Sequence, residues 1–166
     1  ISAVQNNKEL NCHASTFENF EAEPGRTRLE TMLCKSIADV IAKNDFDLSS
    51  ESRLILCTTK GDIEDLSSEQ ALLPNLAQRL ADFSGIPSKP IVLSMACTSG
   101  TMGLIMAQRL IAQGEAKNVL VVGGDQVSRF VVEGFRSFHA LSKGVCSPYD
   151  RDRDGINLGE ASAACI

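Results

Sequence analysis

Helical and strand-like periodicities alternate along this chain, and that alternation restricts the fold more than any other feature. From Arg28 onward, Leu29, Met32, Leu33, Ile37, Val40 and Ile41 recur at the spacing of a one-sided helix, predicted to end near Asn44. Residues 53–59 (RLILCTT) read as a strand ended by Gly61, and residues 72–83 as a second amphipathic helix closed by Ser84-Gly85-Ile86-Pro87. Residues 91–94 form a short strand after Pro90. The following segment carries Met102, Leu104, Ile105, Met106, Ala107, Leu110 and Ile111, which cover most of a helix circumference; burial on nearly all sides is expected, with Gly114 as the stop. Residues 118–122 are a continuous apolar strand of the kind covered on both faces inside a parallel sheet. The expected class is α/β, with a mixed, mostly parallel sheet flanked by helices.

Two segments fall outside this rhythm. Residues 6–25 are polar and aperiodic and read as a surface cover. Residues 161–166 read as a strand cut off mid-way, and Ile1 opens the chain without a methionine, so the expectation is one domain over residues 1–166 of a longer protein.

Composition narrows the function classes. The 166 residues carry a net charge of −5 and 43% hydrophobic residues, which suits a globular domain with a real core. No basic stripe marks a nucleic-acid protein, and no apolar run reaches membrane-spanning length. The six cysteines stand at 12, 34, 57, 97, 146 and 165 with no Cys-x-x-Cys pair, and His13 and His139 are the only histidines. That set offers little to a zinc site and fits a reducing compartment, with the cytoplasm as the expected location. Nothing in the sequence calls for a metal or an organic cofactor.

Among the cysteines, Cys97 stands apart. It lies in Ser94-Met95-Ala96-Cys97-Thr98-Ser99-Gly100, with a strand behind it and a helix ahead. A helix N-terminus gathers unpaired N–H groups and the positive end of the dipole, a setting that favours thiolate over thiol. Ala96, Thr98, Ser99, Gly100 and Gly103 leave room for a substrate, so Cys97 is the candidate nucleophile for acyl transfer. Cys34 and Cys57 instead fit the ordinary role of a cysteine as a small core residue.

Other motifs are weaker. Residues 150–155 (DRDRDG) match the opening of a calcium loop, but position 12 is Ala161 rather than glutamate, so a turn with locally paired aspartates and arginines is expected. Gly123-Gly124 lacks the spacing of a phosphate-binding turn and reads as a tight backbone crossing. A serine-hydrolase elbow would need glycines where Met95 and Ser99 stand. His139 is a candidate base for Cys97, or a surface histidine.

In order and spacing, these blocks resemble the N-terminal half of a β-ketoacyl synthase. The resemblance rests on residues 94–100 around Cys97, on residues 107–116, and on Val119-Leu120-Val121-Val122-Gly123-Gly124. It continues through Gly134-Phe135, Ala140-Leu141-Ser142, residues 147–155 and Leu158-Gly159-Glu160. It implies the thiolase-like fold, usually as a homodimer. It also implies that Cys97 takes an acyl chain from an acyl carrier protein or coenzyme A and condenses it with a malonyl thioester. By position Phe135 resembles the phenylalanine that borders the acyl pocket. The family's two histidines and lysine belong to a C-terminal half that this chain lacks, and His139 is not one of them. Readings beside this one are another thiolase-like enzyme, a non-catalytic partner subunit that sets chain length, and an α/β domain whose cysteine is merely buried.

Overall fold

A computed structural model describes residues 4–44, 48–63 and 72–166. They fall into two compact units, one built from the described residues within 22–125 and 162–166, the other from 4–21 and 126–161.

The larger unit is the α/β body that the periodicity predicts. Strands β3 (Ser52–Cys57), β4 (Ile91–Leu93), β5 (Asn118–Asp125) and β7 (Ala161–Cys165) form a sheet in the order β4-β3-β5-β7, with β3 parallel to both β4 and β5. Alternate residues of the two central strands serve opposite faces. Leu54, Leu56, Leu120 and Val122 pack with Leu29, Leu33 and Ile37 of α1 (Arg28–Ala42) and Leu76 and Leu80 of α2 (Leu73–Ser84). Ile55, Cys57, Val119 and Val121 pack with Ala107 and Leu110 of α3 (Ser99–Ala112). Two-sided burial is why both strands read as unbroken apolar runs.

Local signals set the helix ends. Thr27 caps α1 by accepting the Glu30 N–H, and the buried Glu30 carboxylate pairs with Arg79 of α2 at 2.8 Å. Gly85, in the left-handed region at φ 76°, closes α2 as expected.

Helix α3 departs from expectation. It is not buried on nearly all sides: Leu104 and Ile111 remain 53% and 49% exposed. The sheet meets the buried stripe of Ser99, Gly103, Ala107 and Leu110, with Met106 partly packed beside it, and among the described residues of this unit no further layer covers the outer face. The Gly123-Gly124 pair also differs, since it extends β5 instead of making a crossing. A Cβ on Gly123 would lie 3.3 Å from the Cys57 carbonyl oxygen, so the backbones of β5 and β3 run close together here.

The smaller unit was largely invisible to periodicity. The supposed surface cover contains a hairpin, β1 (Gln5–Asn7) antiparallel to β2 (Cys12–Ser15), and β2 pairs in parallel with the two-residue β6 (Leu158–Gly159). Helix α4 (Arg129–Ser137) starts at Ser128, whose hydroxyl accepts the Val131 N–H. Cys12, Ala14 and Val132 form its small core. The Asp-rich turn also works otherwise than expected. Asp154 accepts from the Ser142 hydroxyl at 2.6 Å and the Lys143 N–H at 3.1 Å, and Asp150 accepts the Asp152 N–H. Among the described residues neither carboxylate forms an ion pair with Arg151 or Arg153; Arg153 instead donates to the Asp150 backbone carbonyl at 2.8 Å, so the local aspartate–arginine pairing runs through the main chain.

Candidate functional site

The C-terminal ends of β3, β4 and β5 open on one side of the parallel sheet, where open α/β sheets place their ligand crevices. Beyond β4 the chain makes a sharp turn at Met95-Ala96-Cys97 before α3 begins. Ala96 takes a left-handed conformation at φ 48°, which costs an L-residue about 1–2 kcal/mol. Ser99 holds the turn from within. Its buried hydroxyl accepts the Met95 N–H at 2.8 Å and donates to the Ala96 carbonyl at 2.7 Å. The Thr98 hydroxyl donates to the Met95 carbonyl at 2.8 Å. Cys97 therefore sits at the tip of a braced elbow, just before the α3 N-terminus, and it is exposed. The bend has no glycine to announce it; the one legible signal was the cluster of small and hydroxyl side chains.

The cavity beside Cys97 has a volume of about 360 Å³. Cys57, Leu104, Val121 and Cys165 give it apolar walls, and Gly123 and Gly124 leave space where side chains would stand. Its polar edge is Thr59 and Asp125. The Asp125 carboxylate is itself committed, accepting from the Thr58 and Thr59 hydroxyls at 2.8 Å each and from the Thr59 N–H at 2.9 Å. Sequence reasoning named Ser99 only as a small neighbour of Cys97 and missed its brace, and it missed Asp125 altogether, since neither role shows in a spacing motif.

Of the five small residues near Cys97, Ala96, Ser99 and Gly100 line the cavity, but Thr98 and Gly103 do not. A Cβ at Gly103 would collide with Cys57 Sγ and lie 3.1 Å from Val121. Its smallness lets α3 lie close on the sheet and gives no room to a substrate. Cys12, Cys34 and Cys57 are buried, unlike Cys97. Burial pushes the Cys34 thiol up to about 11, and burial also raises Cys57, Cys165 and Cys12.

Phe135 lies on α4 in the smaller unit and is half-buried. His139 belongs to that unit too, and lines a second cavity with Arg136, Lys143 and Asp154. Among the described residues no group of histidine, cysteine and carboxylate side chains is arranged to hold a metal ion, and no helix is long and apolar enough to cross a membrane.

Residues 47–166 match the family described as β-ketoacyl synthase, N-terminal domain. The chain belongs to the β-ketoacyl synthase family. It is 31% identical over 98 residues to the 3-oxoacyl-[acyl-carrier-protein] synthase 2 of Vibrio cholerae, a stretch covering 55% of this chain and 24% of that protein. It is 36% identical over 80 residues to the synthase 2 of Rhizobium meliloti, covering 43% and 19%. A β-ketoacyl synthase from Burkholderia phymatum superposes with a TM-score of 0.75 at 18% identity, over 92% of this chain and 46% of that one. The ishigamide ketosynthase/chain length factor also gives 0.75, at 19% identity over 99% and 50%. The chain thus spans about a quarter of the curated relatives and half of these solved chains, and it shares their thiolase-like fold.

Proposed function

We propose that this chain is the nucleophile-bearing N-terminal half of a 3-oxoacyl synthase, a condensing acyltransferase of fatty-acid or polyketide assembly. The observation that carries the reading is the placement of Cys97 on a braced elbow, facing a mainly apolar cavity. Cys97 Sγ attacks the carbonyl of an acyl thioester, the carrier thiol leaves, and the acyl group remains on the sulfur. The apolar walls take the acyl chain; Phe135, on α4 of the smaller unit, is kept as a candidate substrate-binding residue on the family resemblance alone. A malonyl thioester then loses carbon dioxide, and its carbanion attacks the acyl carbonyl. Breaking of the carbon–sulfur bond returns Cys97 as thiolate and releases the 3-oxoacyl product.

The donor is an acyl carrier protein or coenzyme A, and the assembly is a homodimer in the cytoplasm. The histidines and lysine for decarboxylation lie in a C-terminal half outside these residues, so the chain by itself condenses little or nothing. The test uses the protein at its full coding length, incubated with acyl and malonyl thioesters. A 3-oxoacyl product two carbons longer than the acyl donor is expected, and its loss in Cys97→Ala. A folded protein giving no product with any acyl length contradicts the proposal.

A further inference from the structure

The smaller unit holds a cavity of about 430 Å³ with a different character from the one beside Cys97. One wall is the β1–β2 hairpin, which supplies Asn6, Asn11 and His13; the other is the end of α4 and the chain beyond it, which supplies Arg136, His139 and Lys143. Asp154 is the one carboxylate in the lining, and it is already occupied. It accepts from Ser142 and from the Lys143 N–H, and those hydrogen bonds hold its carboxyl below the usual carboxylate range.

The basic groups are less committed. Arg136 pairs with Glu133 and donates to the Leu10 and Asn11 carbonyls at 2.9 and 3.0 Å, so it ties the hairpin to α4. The side chains of His13, His139 and Lys143 make no hydrogen bond or ion pair among the described residues. His139 is also held in the left-handed region at φ 53°, its N–H bonded to the Arg136 carbonyl at 2.9 Å. Two imidazoles, an ammonium and a fixed guanidinium thus converge on one concave surface with two side-chain amides. Such a donor-rich set, with one carboxylate already satisfied, suits a compact anion of more than one charge and several acceptor oxygens.

We propose that this cleft binds a phosphate group through Lys143, His139 and His13. Phosphate offers acceptor oxygens in several directions and can take hydrogen bonds from both walls of the cleft at once, which the two coplanar oxygens of a carboxylate do less fully. Binding here is independent of the proposed condensation chemistry.

The test titrates inorganic phosphate, with sulfate as a second dianion and acetate as a monoanion, into the full-length protein by calorimetry and amide chemical-shift mapping. Phosphate and sulfate should move the amide signals of residues 11–13 and 139–143, and acetate should bind at least several-fold more weakly. Lys143→Ala and His139→Ala should each weaken phosphate about threefold, the scale of one exposed charge contact, and the double variant about tenfold. Cys97→Ala should bind phosphate as the parent does, which separates failure here from failure of the synthase reading. Overturning results are no binding, acetate binding as tight as phosphate, or phosphate affinity unchanged in the folded double variant.

Discussion

The two units reach stability by different means. The larger buries Leu29, Leu33, Leu54, Leu56, Leu76, Leu80, Leu120 and Val122 completely, between helices and a parallel sheet. The smaller has Cys12, Ala14 and Val132, and relies on polar cross-links: Arg136 to the hairpin carbonyls, Asn157 to Cys146 and Gly144, Asp154 to Ser142 and Lys143. The first depends on apolar volume and the second on geometry. The elbow at Cys97 takes something from each, since it stands on the rigid sheet and is closed by the Ser99 hydroxyl.

That contrast yields graded expectations. Leu54→Ala, which opens a cavity under two helices, should lower the unfolding free energy of the larger unit by about 2–5 kcal/mol in a denaturant titration. A loss below 1 kcal/mol would mean that the two-faced core is not what holds this unit. Gly155→Ala should act next, by about 1–3 kcal/mol and on the smaller unit, because a Cβ there would lie 2.5 Å from Ser142 N and 2.7 Å from the Ala140 carbonyl. Hydrogen exchange should show opening confined to residues 4–21 and 126–161. Thr27→Ala should cost about 1 kcal/mol by removing the cap of α1.

The smallest effect concerns acid. Asp154 has its carboxyl lowered by the Ser142 hydroxyl and the Lys143 N–H. A lowered folded value means that its contribution is complete above the ordinary carboxylate value of 3.8 and fades as pH falls through the still lower folded one. Protection of the 142–144 amides should follow that course, and Asp154→Asn should remove the pH dependence.

The same contrast explains what the sequence disclosed. Leu54–Cys57 and Val119–Val122 were legible because two-sided burial demands unbroken apolar runs, and Gly85 because a helix stop there needs a left-handed residue. The hairpin was not. β1 is wholly polar, with Gln5 and Asn6 exposed, and β2 alternates only two small residues, Cys12 and Ala14, with His13 and Ser15, too short a pattern to mark a strand. The exposed face of α3 was overread, since apolar residues around a helix do not say what covers each of them. At the site, Cys97 stood out by its neighbours, but the left-handed Ala96 and the Ser99 brace came only with the coordinates.

The measurement that bears most directly on the account is the map of acyl adducts on the six cysteines of the full-length protein after incubation with an acyl thioester. The account predicts one adduct, on Cys97, removed by Cys97→Ala, with Cys34 left free in its buried place behind a raised thiol. An unmodified Cys97 in a folded protein would contradict it and point to a non-catalytic partner subunit.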